Sequence, residues 1–507
     1  MPAGPADPRP DDADGVVLTG VQIEGATIYP EAEFVAVYEP YLDRLLRTED
    51  AEKIVAAITD IYRQDGYILS RAVAQPQDLD FGLLRIDVTE GYIEKVTFEG
   101  PVEARRDLLV QFAHKLRAVR PLTQQALERY VMLMGDLPGL KARPALRALD
   151  DNSGAHELVI SLTQDSFDGY ASIDNRSTRT VGRHVAQLSG NFNSLFGQFG
   201  RTAVNVYTVP DNIRELMFVE GQQEFTLNAE GSLLGVSAWH SVVESGARDK
   251  QFNLDSYDTR AAVYLVQPII RSSKKSLFLT GTFEYHDTTE TIANAISFED
   301  RIRSARLTAR GFAADPLNGE NVLIVTASQG LDFLDASSNA SSILSRTGGK
   351  INYAKIEGFY TRYQKLPGAW TAQFGLKGQL TSDGALSGEE FRAGGGNFGR
   401  AYDPSEISGE HGAAGYLELQ RSLASRNEFF RGTQIFAFYD LAAAWDDDPS
   451  LGTTKTSIAS GGIGARTLLP KDIRLTIEVA KPLTEPVFNE GVQGEYLRFF
   501  FGLSMGF

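Results

Sequence analysis

From Phe167 to Phe507 apolar and polar residues alternate with a period of two, one segment after another. In "DIRLTIEVAKPL", Ile473, Leu475, Ile477 and Val479 share one face, and Arg474, Thr476 and Glu478 share the other. "YLRFFFGLSMGF" places Leu497, Phe499, Phe501, Leu503, Met505 and Phe507 on one face, with Arg498, Gly502, Ser504 and Gly506 opposite. "GYLELQ" and "IFAFYDLAAAW" follow the same rule. Side chains of a strand point alternately to its two faces, so this period predicts strands that are apolar on one side only. Roughly sixteen such segments can be counted. Most are long enough for the ~9–11 residues that a tilted strand needs to cross a bilayer. Strands of a soluble sandwich or propeller, the competing architecture, average about 5–6. Connection lengths alternate as well: "PGA" and "LPKD" are tight, whereas 334–350 and 382–412 are long. Short turns at one end and long loops at the other suit an outer-membrane barrel. The expected fold of 166–507 is therefore a 16-stranded antiparallel transmembrane β-barrel. Its polar faces line a lumen, and closure satisfies the backbone groups that lipid cannot.

The first third of the chain reads differently. Residues 1–15, "MPAGPADPRPDDADG", are acidic and proline-rich and predict a flexible tail. Residues 16–91 run strand, helix, helix, strand, strand. Ile54, Ile58 and Ile61 share a helical face, and Gly66 in "RQDGY" suits a left-handed cap. Residues 92–165 repeat the order. There "TQQALERYVMLMGDLPG" is the strongest helix, with Thr123 as candidate N-cap and Leu127, Val131 and Met134 on one face, and "DNSG" marks a hairpin turn. Two α+β modules of the order β-α-α-β-β are expected. Tyr67 and Ile68, at the helix–strand junction of the first, are expected in its core.

Composition narrows the function. The chain has 507 residues, and 66 acidic against 49 basic side chains give a net charge of -17. That argues against a nucleic-acid surface, which needs a basic patch to displace counterions. There is no cysteine, so disulfides, thiolate metal sites and cysteine nucleophiles are excluded. No apolar run is long enough for a transmembrane helix. The start of the sequence lacks the basic and apolar regions of a signal peptide, which fits either a cytosolic protein or a mature form whose signal was removed. The histidines His114, His156, His184, His240, His286 and His411 are scattered, with no metal-binding spacing. No G-x-S-x-G elbow or phosphate-binding P-loop occurs, and no metal, cofactor or catalytic residue is expected. Gly394, Gly396 and Gly399 match G-x-G-x-x-G, but Pro404 and further glycines follow where a dinucleotide site needs a helix. The polar stretch containing these glycines and Gly395 is then either an unconstrained surface loop or one with a specific task.

Three passages resemble one family. "FGRAYDPSEISGEHGAAGYLELQ" is similar to the sixth extracellular loop and following strand of two-partner-secretion transporters of the hemolysin secretion/activation type. "FAFYDLAAAW" resembles that family's F-x-D-x-G strand motif, and "GGIGARTLLPKDIRLTIEVAKPL" its penultimate hairpin. The N-terminal modules, "YRQDGYILSRAVAQPQDL" above all, look like its POTRA (polypeptide-transport-associated) domains. The resemblance implies two periplasmic POTRA domains, at 16–91 and 92–165, before a barrel in the bacterial outer membrane. It implies export of a large, unfolded partner protein from the periplasm, with loop 383–412 folded back into the lumen. Matched residue by residue, the loop tip is Gly399-Arg400-Ala401-Tyr402 and the strand motif is Phe438-Tyr439-Asp440-Leu441-Ala442. The family pairs the tip arginine with the motif aspartate, so Arg400 and Asp440, with Tyr402 and Phe438, form the expected loop-to-barrel contact. Ala401 and Ala442 stand where the family usually has glycine, and alanine is penalised wherever a positive φ is required.

Strand parity supports the pairing independently, since Asp440 shares a face with Gln434 while Ile435, Tyr439 and Leu441 point the other way. A guanidinium fork also matches a carboxylate better than an ammonium does. The C-terminal Phe507, with Met505 and Leu503 before it, resembles the signal read by the barrel assembly machinery. The remaining expected surroundings are outer-membrane lipid and lipopolysaccharide around a monomeric barrel. The family often has an N-terminal plug helix; residues before Val16 are too few and too proline-rich for a long one, so it is expected to be absent, cropped or very short. Cargo capture is expected on a strand edge of the first module by β-augmentation. An assembly factor of the same superfamily, a passive porin and a soluble enzyme are the alternatives.

Overall fold

The computed structural model describes residues 16–77, 80–100, 106–150, 153–196, 199–246, 253–382, 384–424, 427, 430–448, 452–488 and 496–507. The expected tail at 1–15 and the centre of the "DNSG" turn at 151–152 lie outside these residues. The described chain forms two compact units that divide between Thr163 and Gln164, with 136–140 grouped with the second.

The first unit holds two modules of one design. The first comprises β1 (Gly20–Glu24), α1 (Ala32–Tyr38), α2 (Thr48–Gln64), β2 (Arg71–Val73) and β3 (Leu83–Thr89). The second comprises β4 (Tyr92–Glu99), α3 (Arg106–Ala118), α4 (Gln124–Gly135), β5 (Leu140–Ala148) and β6 (Ala155–Gln164). In each three-stranded sheet the last strand lies in the middle, in the orders β1-β3-β2 and β4-β6-β5. β1 runs parallel to β3 and β4 parallel to β6, which leaves β2 at a sheet edge of the first module.

The amphipathic face of α2 explains the first core. Ile54, Ile58 and Tyr62 are buried against Leu84, Ile86 and Val88 of β3 and Phe34 of α1. Ile61, expected on that face, packs only at its margin, because Tyr62 one step along the helix fills the centre. Gly66 takes φ +87° just past α2, as a left-handed cap requires. The Thr123 hydroxyl accepts the Ala126 N–H at 3.2 Å and caps α4. On α4 the buried pair is Leu133 and Met134, while Leu127 and Val131 are half-buried. Tyr67 packs on the core as expected, but Ile68 is exposed. It sits in the turn after the cap, where neighbouring side chains diverge, so its placement in the core is corrected.

The second unit is a closed antiparallel barrel. Its sixteen strands are β7 (Phe167–Asp174), β8 (Val185–Asn193), β9 (Gly200–Thr208), β10 (Met217–Thr226), β11 (Leu233–Glu244), β12 (Leu254–Arg271), β13 (Lys275–Ile292), β14 (Ala295–Ala314), β15 (Gly319–Gly330), β16 (Ala354–Lys365), β17 (Trp370–Thr381) and, after the long loop, β20 to β24. The last five are β20 (His411–Ser422), β21 (Arg431–Asp448), β22 (Gly452–Leu469), β23 (Ile473–Pro482) and β24 (Arg498–Gly506). Each pairs with its neighbour in sequence, and β24 closes on β7, Gly502–Gly506 against Asp174–Tyr170. The alternation sorts side chains as expected. Ile435, Tyr439 and Leu441 of β21, Ile477 of β23 and Phe499 of β24 are exposed on the outer wall. Phe438, Asp440, Glu478 and Phe500, at the other parity, are buried inside. A closed wall with an apolar exterior is solvated by hydrocarbon rather than by water. Strands β12 to β14 run 18 to 20 residues, longer than a crossing needs.

β17 and β20 are neighbours in the barrel, yet the chain between them runs over residues 382–410. Within it β18 (Phe391–Ala393) and β19 (Ile407–Gly409) form a two-stranded ribbon that holds the tip residues 394–406.

One charge organises the first module. Glu90 accepts hydrogen bonds from the backbone N–H groups of Thr27 and Ile28, the Thr27 hydroxyl and the Tyr62 hydroxyl. Partial burial opposes ionisation, but these four donors outweigh it and hold the carboxyl below the usual glutamate range. A carboxylate with a depressed folded pKa stabilises above its unfolded value, about 4.3, and that stability is lost as pH falls through the folded pKa. Glu90→Gln is therefore expected to speed hydrogen exchange of the α2 amides about fivefold at pH 7, a loss of about 1 kcal/mol, and to have a smaller effect as pH falls below the ordinary glutamate range. Exchange mass spectrometry of the whole protein across that pH range checks this.

Candidate functional site

The inner wall between β20 and β24 offers small and aromatic side chains, and the long loop brings apolar ones to meet them. Phe391, Phe398, Ala401, Tyr402 and Ile407 of the loop form one buried cluster with Ala414, Phe436, Phe438, Ala442, Ile458 and Phe500 of the wall. This apolar contact is the local reason the loop lies inward rather than in solvent.

The tip then turns sharply. Gly394 has φ +115°, and a Cβ there would lie 2.2 Å from the Asp403 carbonyl oxygen, so no other residue fits. Gly395 and Gly399 are also left-handed, whereas Gly396 is not and lies beside the Arg176 side chain. The chain after Gly399 continues as a turn rather than a helix, so the G-x-G-x-x-G spacing has no phosphate-binding context. Ala401 is buried with φ outside the left-handed region, and Ala442 lies within regular β21. Neither position requires a positive φ, so alanine carries no penalty there.

Arg400 is placed by this turn over β21. Its backbone N–H donates to Asp440 Oδ2 at 2.9 Å, its Nε approaches both carboxylate oxygens at 3.2 Å, and its Nη2 donates to Oδ1 at 3.1 Å. The Ser460 hydroxyl supplies a further donor to Asp440 at 3.2 Å. Asp440 is 0 % exposed and Arg400 5 %. The remaining guanidinium nitrogen, Nη1, donates to Glu418 of β20, and Glu418 is held in turn by Arg466 of β22 at 2.7 and 3.2 Å. Beside them Arg176 pairs with the buried Glu478 at 3.0 Å. Three arginines thus face three carboxylates, and the buried charges balance.

Phe438 supports the cation from below, with the Arg400 Cζ 3.6 Å from its ring centroid. Gly462 on β22 makes room for that ring, since a Cβ there would come within 2.6 Å of it. Tyr402 does not join the charge cluster. Its hydroxyl reaches the Ala459 and Glu485 carbonyl oxygens, at 3.2 and 2.9 Å, and the Thr484 hydroxyl at 3.1 Å. Arg498 secures the same turn from β24, donating to the Ala401 carbonyl at 2.8 Å and to Asp403 Oδ1 at 2.6 Å.

The expected contact residues Arg400, Asp440 and Phe438 are thus brought together, and Tyr402 is bonded one strand further on. Glu418, Arg466 and Arg498 were missed by sequence reasoning. Their signal was available, because each is a charged residue at lumenal parity in an otherwise well-patterned strand. Leu503, Met505 and Phe507 lie apart from this site, exposed on the outer face of the barrel's last strand and at its end. Among the described residues, one group has donors spaced for a metal: Glu284, His286 and Glu389. Arg306 and Lys355 each lie 2.6 Å from Glu389, so its carboxylate is already neutralised and the set does not suit a cation.

The profile of the POTRA domain, ShlB-type, matches residues 16–91. The chain is similar to the heme/hemopexin transporter protein HuxB of Haemophilus influenzae, 20% identical over 259 residues that cover 51% of this chain and 46% of that protein. It is also similar to the outer membrane transporter CdiB of Escherichia coli, 26% identical over 200 residues, 38% of this chain and 33% of the other. These matches span about half or less of the curated relatives' length. The solved structure of CdiB from Escherichia coli superposes with a TM-score of 0.78 at 17% identity, covering 99% of this chain and 93% of that one. The fold is therefore that of a POTRA-bearing, closed 16-stranded β-barrel.

Removing one partner of a buried ion pair strands the other charge, at about 3–5 kcal/mol. The natural chain has no cysteine, so a single introduced thiol can be labelled without background. In an Ala401→Cys background, adding Arg400→Ala is expected to raise the maleimide labelling rate at least tenfold. Arg400→Lys is expected to fall between, because an ammonium cannot serve Asp440 and Glu418 with the same planar fork.

Proposed function

We propose that this protein is an outer-membrane translocase that exports a large, unfolded partner protein in two-partner fashion, with loop 382–410 regulating the lumen. The observation that carries this reading is the buried cluster of Arg400, Asp440 and Glu418, which holds a long loop against the inner wall of a barrel that also bears POTRA modules. A passive porin gains nothing from a loop fixed across its lumen, or from modules at its N-terminus. The transporter names of HuxB and CdiB agree with the reading, as do the loop and strand motifs that resemble the two-partner family.

In this account the POTRA modules lie in the periplasm and the first receives the cargo. A strand edge of this module can accept an extended cargo segment through backbone hydrogen bonds; of its two edge strands, β2 is the less suited, because its Ala72 N–H already donates to the Thr59 hydroxyl at 3.0 Å. The C-terminal strand, with Leu503, Met505 and Phe507 along one side, is the element the barrel assembly machinery would read. The barrel acts as a monomer surrounded by lipid and lipopolysaccharide. Direction comes from folding of the cargo outside.

The test is secretion of a candidate partner encoded beside this chain, in cells lacking other transporters. The wild-type protein is expected to release the partner into the medium. Arg400→Ala and Asp440→Ala are expected to cut release at least tenfold while leaving heat-modifiable gel migration, the mark of an inserted barrel, unchanged. Normal release by both variants would refute the assignment of the loop. Failure of the wild-type protein to release any adjacent large secreted protein would count against export itself.

A further inference from the structure

The loop has a second buried charge, ten residues and more before its tip. Ser387–Glu389 form a single helical turn near the start of the loop, and the Glu389 side chain is 1 % exposed. Its Oε1 accepts from Arg306 Nη2 of β14 at 2.6 Å, and its Oε2 lies 2.6 Å from Lys355 Nζ of β16 and 3.2 Å from Arg306 Nη1. The Glu389 carbonyl accepts from Gln379 of β17 at 2.8 Å. Arg306 is itself fixed by Glu284 of β13 at 2.8 Å and Ser328 of β15 at 2.9 Å. Two strands, β14 and β16, thus hold the carboxylate, β17 holds the same residue's carbonyl, and β13 and β15 brace Arg306. None of these side chains belongs to the Arg400 cluster, whose partners sit on β20, β21 and β22.

We infer that Glu389 is a second positioning residue for the loop, an anchor on the β13–β17 wall that works independently of the Arg400 anchor on the β20–β22 wall. The inference rests on the reading that the loop regulates the lumen. Breaking the Arg400 contacts loosens the tip, which Tyr402 and Arg498 still touch, but Glu389 keeps the base across the barrel. Clearing the lumen then requires both contacts to break. A carboxylate this buried, serving two cations, holds position far better than a surface pair would, because either partner left alone would be an uncompensated charge in a place water reaches poorly.

Potassium chloride currents through the purified full chain in planar lipid bilayers test this. The proteins compared are the wild type, Glu389→Gln, Arg400→Ala and the double variant, each checked for heat-modifiable migration. Each single variant is expected to hold the mean conductance within twofold of wild type, and the double variant to raise time in a large open state at least tenfold. A double variant that behaves like Arg400→Ala would overturn the inference while leaving the tip contact intact. If Glu389→Gln does not assemble, Lys355→Gln, which weakens the same anchor while leaving Arg306 paired with Glu389, takes its place, and combined with Arg400→Ala it is expected to raise time in the open state in the same way. A combination that behaves like Arg400→Ala alone would likewise overturn the proposal. A wild-type channel already open, with currents unaltered by any of these substitutions, would instead refute loop regulation as a whole.

Discussion

Asp440 is a fully buried carboxylate on the inner wall of the barrel, and its charge has to be answered from somewhere. No neighbour on its own strand does so. The answer comes from forty residues earlier in the chain, where Arg400 offers three nitrogens to the carboxylate and a fourth to Glu418. The position of the loop follows from this need. Without the guanidinium, Asp440 and Glu418 would face each other on the inner wall, with Arg466 as the one cation against them and the neutral donors Ser460 and Gln420 beside it among the described residues. With it, three cations and three carboxylates balance in one small volume, and the aromatic face of Phe438 lies beneath the central one. Buried ion pairs of this kind add little net stability but fix geometry firmly, because every partial rearrangement leaves a charge unpaired.

The rest of the barrel is arranged so that this contact can exist. Period-two strands give a wall whose inner face is free to carry charge while its outer face meets lipid. Gly462 leaves space for Phe438 to lie flat, and Gly394 lets the tip reverse beneath Asp403. Tyr402 and Arg498 then tie the tip to β22, to the segment after β23 and to β24, so the turn is held from three sides. At the other end of the loop Glu389 meets Arg306 and Lys355. A strap fixed at two places by buried charge is stiff at rest, and its release is a discrete event rather than a gradual one.

Most of this was legible in the chain because the two periods involved are strong. Alternation in "DIRLTIEVAKPL" and "YLRFFFGLSMGF" placed Ile477 and Phe499 outside and Glu478 and Arg498 inside without reference to any relative. The inward aim of Asp440 followed from parity with Gln434. What parity could not supply was the partner of a lumenal charge: Glu418 and Arg466 become neighbours of Arg400 only through the register of β20, β21 and β22, which a local pattern does not encode. Glu389 was hidden for the same reason, since it lies in a loop without period and its partners sit on β14 and β16. In the first module the helix pattern found Ile54 and Ile58 but not the larger share taken by Tyr62, which is buried where Ile61 packs only at the margin. A periodic face fixes which side of a helix is buried; shape decides which of two adjacent residues takes the centre.

The central claim is that Arg400 and Asp440 act as one unit. A double-mutant cycle read through labelling of a thiol at position 401 tests it most directly, with Arg400→Ala, Asp440→Ala and both together in the same background. If the two residues hold the loop only through each other, the double variant labels no faster than the faster of the two singles, and the coupling is nearly complete. If instead the two accelerations multiply, each residue holds the loop through separate partners, and the ion pair is not what keeps it in the lumen.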